Sequence, residues 1–405
     1  MKVAVIDDVG FGSGKPGLFG KELYVETISK INEEILGNPV ERVLLSPTSH
    51  IQDNLHVLAG SEKRFIRIFR DKQLVQKLKK LLESQGVDLI HNNLLNARYI
   101  AHTANAAEKL GTPIVTTIHG WVYVCPNGWG VTLPQLAKCN MGLQPRCVKC
   151  LYQLSKITKT NPPASIANWT IRYLMLKKML NASKANISPS HELAEYVKRI
   201  HKISNIHALH NPLPRHLLAE PPSNGGDDSI AFCGRLTWEK GAHLIPKIAS
   251  NLPHHEIKIM GKGPLKEALV KAARKHKNIT YLGYVPEKEK IRIIKESSAL
   301  IMPITYRETF GYSAAEALAL GVPVVGFGLG GVKELIDCSG GGYTVKPYSI
   351  SEFAEKTLKA IEEAEQLGRK GRKYAQENLN PEKYATSLQK IYKEALKNEE
   401  RLTRR

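Results

Sequence analysis

The alternation of short apolar segments with longer segments of helical periodicity constrains the fold of this chain more than any other feature. In the first half, segments rich in Val, Ile and Leu occur at 2–7, 42–46, 88–92 and 113–118. Between them, apolar residues recur three or four positions apart at 22–36, 74–82 and 98–110. Strands that alternate with helices predict a parallel, doubly wound sheet.

The second half repeats this pattern after an acidic, turn-rich segment at 219–228. Predicted strands lie at 229–233, 255–260, 279–282, 299–302 and 322–326, with helices between them. A chain of 405 residues also exceeds the size at which single cores stop growing. We therefore predict an α/β fold of two Rossmann-like domains facing across a cleft. Their predicted ranges are 1–212 and 213–380, followed by a charged helix and tail at 381–405.

The chain is strongly basic, with a formal net charge of +20. Residues 1–212 carry 27 basic and 15 acidic side chains, so the excess is denser there. A positive field favours anionic partners. Aromatic residues make up only 7% of the chain and no basic–aromatic pattern recurs, which argues against nucleic acid as the partner. Apolar runs fall short of a membrane span and no signal peptide is evident, so a cytoplasmic protein is expected.

Two glutamates stand out in the segment 307–325, where a predicted strand ends in a loop. Glu308 precedes a glycine-containing turn, a helix is expected to begin near Gly311, and Glu316 lies about one and a half turns inside it. Free backbone amides at 310–312 can stabilise a phosphate. The carboxylates of Glu308 and Glu316 can accept hydrogen bonds from sugar and ribose hydroxyls. The alternative is that Glu316 is an ordinary helix-surface residue.

This segment resembles the retaining glycosyltransferases of family 4 (glycosyl transferases group 1), which have the GT-B fold, and the resemblance extends over most of the chain. Further motifs similar to those of the family are Phe232-Cys-Gly-Arg235 with Glu239-Lys240-Gly241, Met260-Gly-Lys-Gly-Pro264, Leu282-Gly-Tyr-Val285, Ser188-Pro-Ser190 and Asn211-Pro212. The resemblance implies that Arg235 and Lys240 bind the diphosphate of a nucleotide sugar. These two cations would replace a divalent metal, so no cofactor is expected to be required for catalysis.

The resemblance also assigns the remaining site residues. Glu308 and His119 join Arg235 and Lys240 in the predicted catalytic set, with His119 positioning the donor sugar or stabilising charge. The predicted donor-binding residues are Gly20, Gly261, Val285, Thr309, Phe310, Gly311, Tyr312 and Glu316.

The glycine-rich loop at 10–20 does not fit a phosphate-binding P-loop, because its first glycine is missing and Pro16 occupies the place of Ser or Thr. Phe19-Gly-Lys-Glu22 is similar to the G-G-x-E turn of the family, with Phe19 in place of the first glycine. A flexible surface loop is the alternative. His91, near the end of an earlier strand, is expected to be structural.

Four of the six cysteines lie close together in sequence at Cys125, Cys139, Cys147 and Cys150. Four thiolates can hold a tetrahedral zinc, and such a zinc would be structural because no position stays open for a substrate. Disulfides and free thiols are the alternatives. Cytoplasmic proteins rarely keep disulfides.

Residues 63–70 interleave cations with bulky apolar side chains. If the chain kinks near 71–73, this segment could bind the anionic inner face of the membrane. Such binding would suit a lipid-linked acceptor. A core helix with snorkelling cations is the alternative.

The combined expectation is a metal-independent, retaining hexosyltransferase of the EC 2.4 type. It would move sugar from a UDP- or GDP-sugar to a lipid-linked or saccharide acceptor. The alternatives are a nucleotide-sugar epimerase on the same fold and a basic nucleic-acid-binding protein.

Overall fold

The computed structural model describes residues 1–8, 20–46, 55–59, 71–133, 139 and 142–403. Contacts divide the chain into two units, Met1–Leu209 together with Pro381–Arg405, and His210–Asn380. The predicted boundary at residue 212 falls three residues later, and the predicted separate segment 381–405 groups with the first unit. Two expected features, the loop at 10–19 and the basic segment at 63–70, lie outside the described residues.

The first unit is built on a seven-stranded parallel sheet with the order β3-β2-β1-β4-β5-β6-β7. Its strands are β1 (Val3–Asp7), β2 (Val40–Ser46), β3 (Leu55–Ala59), β4 (Leu89–Asn92), β5 (Ile114–Thr117), β6 (Ala185–Ser188) and β7 (Ile206–Ala208). Its helices before residue 210 are α1 (Gly20–Lys30, extended by a π-helical turn at Ile31–Ile35), α2 (Lys72–Ser84), α3 (Ala97–Leu110), α4 (Cys147–Thr158), α5 (Pro162–Ala182) and α6 (His191–His201). A 3₁₀ turn at Trp121–Tyr123 follows β5.

The second unit is a six-stranded parallel sheet with the order β10-β9-β8-β11-β12-β13. Its strands are β8 (Asp227–Cys233), β9 (Glu256–Met260), β10 (Ile279–Gly283), β11 (Ser297–Met302), β12 (Val324–Phe327) and β13 (Gly342–Val345). Its helices are α7 (Arg215–Ala219), α8 (Ile245–Ser250, after a 3₁₀ turn at Ala242–Leu244), α9 (Lys266–Lys275), α10 (Glu287–Glu296), α11 (Tyr312–Ala319), α12 (Gly330–Ser339), α13 (Ile350–Glu362) and α14 (Ala364–Asn378).

The last helix, α15 (Pro381–Thr403), returns to the first unit. Tyr384, Leu388 and Tyr392 on this helix are at most 2% exposed. The hydroxyl of Tyr384 lies 2.7 Å from that of Tyr24 in α1, and the hydroxyl of Tyr392 lies 2.6 Å from Nδ1 of His91 in β4. The helix therefore belongs to the packed core of the first unit, which its charged sequence does not reveal.

Burial explains why the strands are so apolar. Every residue of β1 and of β11 is buried, as expected when helices cover both faces of a parallel sheet. Among the described residues, no helix is long and apolar enough to cross a membrane.

Candidate active site

The order of strands in the second sheet directs attention to one edge. After β8, the chain builds β9 and β10 on one side and then returns to build β11, β12 and β13 on the other side. In such sheets, ligands bind beyond the carboxyl ends of the two strands where the direction reverses. The loops that follow β8 and β11 carry Arg235, Lys240 and Glu308. The sequence therefore puts its most informative residues at the point that the topology favours for a ligand.

The backbone holds these two loops together. The amide of Thr305 donates to the carbonyl oxygen of Glu239 at 2.9 Å, and the Thr305 hydroxyl donates to the carbonyl of Trp238 at 3.0 Å. Gly241 has a φ of +74°, and a Cβ atom there would lie 1.7 Å from the carbonyl oxygen of Pro303. Only glycine permits both this conformation and this close approach. Because Gly241 packs against Pro303, Lys240 in the turn before it lies next to the loop that carries Glu308.

The carboxylate of Glu308 lies in a network of donors. Nζ of Lys240 and the hydroxyl of Tyr306 (2.6 Å) both contact its Oε2, and the backbone amide of Thr309 donates to its Oε1 at 3.2 Å. Burial raises the cost of charging this carboxyl, but the charge of Lys240 and these hydrogen bonds outweigh it and hold the pKa of Glu308 below its usual value. Burial and the neighbouring Glu308 raise the pKa of Tyr306 far above its usual range. Glu308 is therefore ionised at neutral pH, and Tyr306 keeps its proton.

Glycines let the backbone after Glu308 turn sharply into helix α11. Gly311 has a φ of +99° and immediately precedes the helix. The carbonyl of Glu308 accepts a hydrogen bond from the amide of Gly331 at 2.7 Å, and a Cβ atom on Gly330 would lie 2.4 Å from that same carbonyl oxygen. The loop of Glu308 is thus fixed from both sides, and the first turn of α11 begins four residues after it. The start of a helix favours an anion.

Glu316 is buried on α11 and is not an ordinary surface residue. Both of its carboxylate oxygens accept hydrogen bonds from Nζ of Lys290 in α10 at 2.8 Å. Burial disfavours the charged form of Lys290, but the charge of Glu316 outweighs burial and raises the pKa of the lysine. Lys290 therefore keeps its positive charge beside the Glu316 carboxylate. The sequence pattern indicated Glu316 but not its partner Lys290.

Arg235, from the predicted catalytic set, and several predicted donor-binding residues lie at the same carboxyl edge. The Arg235 side chain is half-exposed, with its guanidinium 3.4 Å from Glu239. Gly261 follows β9, and its amide donates to the carbonyl of Gly283 at 2.7 Å. Val285 is partly buried in the loop after β10. Phe310 is buried, with its ring 5.1 Å from that of Tyr312.

The first unit forms its own cluster where β1, β4 and β5 end. Nζ of Lys21, one residue after Gly20, lies 2.5 Å from carboxylate oxygens of both Asp7 and Asp8. The other carboxylate oxygen of Asp8 accepts hydrogen bonds from the backbone amides of Leu95 and Asn96. Asp8 therefore links the start of α1 to the loop after β4. Sequence reasoning did not single out Asp8 or Lys21, although both flank the glycine-rich loop.

His119, just beyond β5, is fixed by neighbouring side chains. Its Nε2 lies 2.8 Å from Oδ1 of Asn93, and its ring lies edge-on against Tyr24 with centroids 5.1 Å apart. Burial above all, together with the positive charge of Lys21, lowers the pKa of His119 well below its usual value. The imidazole is therefore neutral at physiological pH. Because Asn93 Oδ1 can only accept, Nε2 carries the proton.

His91 differs from His119 in its surroundings. Its Nε2 lies 2.7 Å from the Thr117 hydroxyl, and its Nδ1 lies 2.6 Å from the hydroxyl of Tyr392. Burial lowers the pKa of His91 to about 3. Both ring nitrogens are used in a buried network that ties α15 to the sheet. These contacts agree with the structural role expected for this histidine.

The four clustered cysteines line one cavity of about 160 Å³, together with Leu133, Arg146 and neighbouring residues. All four are free thiols in the structure. Backbone amides donate to two of the sulfurs, from Gln144 to Cys147 and from Leu133 to Cys150, each at 3.4 Å. Within the described residues, no three of the sulfurs lie within 4.8 Å of one another. The cavity therefore unites the cysteines without bringing them to ligand distances.

Burial raises the pKa of Cys125 to about 12, and the nearby sulfurs of Cys139 and Cys147 add to this effect. The Arg146 guanidinium lies 3.9 Å from the Cys139 sulfur. A thiol with a raised pKa stays protonated unless a cation binds it. The four cysteine sulfurs that line this cavity are its possible metal ligands, and sulfur ligands suit a soft divalent metal ion.

Each unit thus carries part of the predicted set. The second unit brings Glu308 and Lys240 into contact and sets Arg235 in the same β8 loop. His119 and Gly20 belong to the first unit. The roles predicted for these residues in catalysis and donor binding remain predictions.

Two family models match consecutive parts of the chain. The model described as "Glycosyltransferase Family 4" matches residues 56–215, and the model described as "Glycosyl transferases group 1" matches residues 216–400. A glycogen synthase of Mycobacterium tuberculosis is 26% identical over 184 residues, which are 43% of this chain and 44% of that protein. The match thus spans less than half of that relative. N-acetyl-alpha-D-glucosaminyl L-malate synthase of Bacillus anthracis is 24% identical over 81% of this chain and 80% of its own.

Solved structures share the fold over nearly the whole chain. Sucrose-phosphate synthase from Thermosynechococcus elongatus aligns with a TM-score of 0.72 at 16% identity, covering 97% of this chain and 98% of that one. HepE from Anabaena, solved in complex with UDP, aligns with a TM-score of 0.69 at 16% identity, covering 97% and 100%. The predicted GT-B class, with two doubly wound α/β units, is confirmed. The chain belongs to the group 1 glycosyltransferases of family 4.

Proposed function

We propose that this protein is a retaining glycosyltransferase of the hexosyltransferase type that moves a sugar from a UDP- or GDP-sugar to a lipid-linked or saccharide acceptor. The observation that carries the proposal is the cluster of Lys240, Tyr306 and Glu308 beyond the carboxyl ends of β8 and β11. This is the position at which doubly wound sheets bind nucleotides. The ionised carboxylate of Glu308 can accept hydrogen bonds from sugar hydroxyls, and the neighbouring ammonium of Lys240 can bind the diphosphate.

In this proposal, Arg235 and Lys240 bind the diphosphate, and the amides at the start of α11 add partial positive charge. Negative charge develops on the phosphate oxygen as the bond to the sugar breaks. Fixed cations at that oxygen stabilise the transition state. Lysine and arginine thus take the role that a divalent cation fills elsewhere, so we propose that transfer needs no metal.

Lys240 has to change partner for this to happen. In the structure, its ammonium pairs with Glu308. A bound diphosphate competes for the ammonium, and the sugar hydroxyls then satisfy the carboxylate, which Tyr306 continues to hold at 2.6 Å. We propose that Glu316 binds the ribose hydroxyls while its hydrogen bonds to Lys290 keep the carboxylate oriented.

The neutral state of His119 suits a positioning role. With its pKa far below neutrality, the imidazole is a poor proton donor at physiological pH, and its Nε2 proton is directed at Asn93. We propose that His119 orients the donor sugar. In a retaining mechanism, the leaving phosphate then accepts the proton of the acceptor hydroxyl on the same face of the sugar.

The relatives support the choice of substrates. HepE was solved with UDP and with UDP-glucose, which favours a uridine nucleotide as the donor. A relative from Propionibacterium freudenreichii, 26% identical over 55% of this chain and 60% of its own, is a phosphatidyl-myo-inositol mannosyltransferase. Its name describes a lipid acceptor, which supports the lipid-linked class.

A thermal-melt screen of UDP- and GDP-sugars tests the proposal. A ligand present at a hundred times its Kd adds about 2.7 kcal/mol to the stability of the folded state, enough to raise Tm by several degrees. Stabilisation by one nucleotide class, but not by the free sugar, is the expected result. No stabilisation by any nucleotide sugar would contradict the proposal. Salt-sensitive DNA binding without sugar transfer would favour the nucleic-acid alternative.

Product analysis separates transfer from epimerisation. The donor is incubated with the enzyme with and without a panel of lipid-linked and saccharide acceptors, and the products are resolved by mass spectrometry. A transferase forms a new glycoside only when acceptor is present. Conversion of the donor to its epimer without acceptor would instead support the epimerase alternative.

We also propose that Cys125, Cys139, Cys147 and Cys150 hold one structural zinc ion. The four thiols line one cavity, and backbone amides directed at two of the sulfurs stabilise thiolates. Rotation of the side chains has to shorten the distances between the sulfurs for tetrahedral coordination. The ion would hold the start of α4 to the loop after β5.

Elemental analysis of the purified protein tests the zinc site. About one zinc per chain is expected. Cys147→Ser should lose the metal, while Cys338→Ser, an exposed thiol elsewhere, should retain it. No metal with all four thiols titratable would contradict zinc binding. Thiols titratable only after reduction would indicate disulfides.

A further inference from the structure

Helix α4 exposes apolar side chains to solvent. Val148 is 57% and Tyr152 is 41% exposed, and Leu143, shortly before the helix, is 43% exposed. The opposite face of α4 is covered, because Leu151 and Leu154 are buried against the first unit. The core is therefore already closed without Val148 and Tyr152. Their exposure is not needed to complete the fold.

Basic side chains share that exposed face. Val148, Tyr152 and Lys156 follow at intervals of four residues, which places them on one side of the helix, and Lys149 lies beside them. We name these four residues the α4 stripe. Nζ of Lys156 lies 4.6 Å from the centre of the Tyr152 ring. Lys159, immediately after the helix, adds a further exposed cation.

The sequence on either side of the α4 stripe carries only positive charges. Between Glu108 and Glu192 the sequence contains ten Lys and Arg residues and no Asp or Glu. Among the residues that the structure describes, no carboxylate forms a salt bridge with Lys149, Lys156 or Lys159. These cations are therefore available to an anionic partner.

We propose that the α4 stripe docks the first unit onto an anionic lipid surface. A helix with exposed apolar side chains between lysines suits the boundary between head groups and acyl chains. Lysines near such a surface bind its negative charge, and Val148 and Tyr152 enter the interface between them. This proposal rests on the proposed function only in making a lipid-linked acceptor the natural substrate.

A lipid surface fits the α4 stripe better than a nucleic acid does. Non-specific binding to single strands uses several aromatic rings on which successive bases stack. Tyr152 is the one aromatic residue of the α4 stripe, and Lys156 lies over its ring. Aliphatic Val148, with the largest exposure in this region, has no role in base stacking.

Co-sedimentation of the full chain with vesicles tests the proposal. One set of vesicles contains phosphatidylglycerol and phosphatidylcholine, and the other contains phosphatidylcholine alone. Binding to the anionic set only, weakened by salt, is expected. Each lysine near an anionic surface contributes roughly fivefold, so Lys149→Gln/Lys156→Gln/Lys159→Gln should weaken binding by about a hundredfold. Val148→Ser/Tyr152→Ser should weaken it by roughly tenfold.

A matched control variant loses the same number of positive charges, but from a surface of the second unit. Lys271→Gln/Lys275→Gln/Lys277→Gln removes three exposed lysines from the second unit and should bind vesicles like the unmodified protein. If both triple variants lose binding equally, the effect is one of net charge and the α4 stripe is not the docking surface. Equal binding to neutral vesicles, or unchanged binding by the α4 variants, would also overturn the proposal.

Two further measurements separate this proposal from its neighbours. A short RNA is added as a competitor, and binding of RNA without binding of anionic vesicles would replace lipid by nucleic acid as the partner. Donor-induced stabilisation is measured on the same variants and should be unchanged, because the α4 stripe lies in the first unit. Loss of vesicle binding with intact donor stabilisation supports the docking surface, whatever the acceptor proves to be.

Discussion

Replacement of Glu308 by glutamine is the most informative single change in the proposed donor site. The amide keeps the shape of the side chain and can still accept from Tyr306, but it removes the negative charge from beside Lys240. Both side chains are largely buried, with 14% of Glu308 and 20% of Lys240 exposed. Loss of one partner of such a pair costs about 1–3 kcal/mol of stability.

The effect on catalysis should be larger than the effect on folding. Removal of one transition-state contact lowers turnover by roughly a hundredfold, which corresponds to about 2.7 kcal/mol. Glu308→Gln should therefore lower kcat by at least this factor while the protein stays folded. Arg235→Ala should lower kcat similarly, because it removes a positive side chain that is proposed to stabilise the leaving phosphate.

The assay measures release of the nucleoside diphosphate from the donor that the thermal screen identifies. Circular dichroism tests whether each variant is folded. Glu289→Gln is the matched control. Glu289 is an exposed carboxylate of the second unit that binds Arg292, outside the proposed site. Its variant should behave like the unmodified enzyme. A folded Glu308→Gln enzyme with unchanged kcat would rule out a transition-state role for the Glu308 carboxylate.

Three further predictions follow from single residues. Glu316→Gln should mainly weaken donor binding, by roughly tenfold in Kd measured by calorimetry, since its role is in the ground state. Because the folded-state pKa of His91 is lowered to about 3, its contribution to the free energy of unfolding is complete above pH 6.5 and should be lost at about 1.4 kcal/mol per pH unit between pH 6.5 and about 3. In urea melts at several pH values, His91→Gln should flatten this slope. Gly241→Ala should cost about 2 kcal/mol or more, because a Cβ atom meets the Pro303 carbonyl. Gly225→Ala, with positive φ but open space, should cost less in the same melts.

Local sequence patterns predicted much of the framework. The segments expected at 2–7, 88–92 and 113–118 form β1, β4 and β5, and the helix expected near Gly311 begins at Tyr312. These elements have strong apolar periodicity and clear glycine signals. The short strands β3, β6, β7 and β13 were not expected. In β6, Ala185-Asn-Ile-Ser188 is buried although it carries two polar residues, and in β13, Gly342-Tyr-Thr-Val345 begins with glycine and is mostly only partly buried.

The partners of the site residues could not be predicted in the same way. Lys290 meets Glu316 across 26 residues of sequence, and Tyr392 meets His91 across 301. Such contacts depend on how helices pack on a sheet, which no local pattern encodes. Lys240 lies in a turn before Gly241, whose positive φ lets the chain approach Pro303, and no local pattern indicates this long-range approach.

We propose that a nucleotide sugar binds the second unit beyond the carboxyl ends of β8 and β11. Hydrogen–deuterium exchange of the full chain, with and without UDP or GDP, tests it most directly because it reports where the ligand binds. Slower exchange is expected at 234–241 and 304–317, and Arg235→Ala should lose this protection. Unchanged exchange in both segments with saturating UDP and with saturating GDP, or protection confined to other segments, would show that the nucleotide does not bind there.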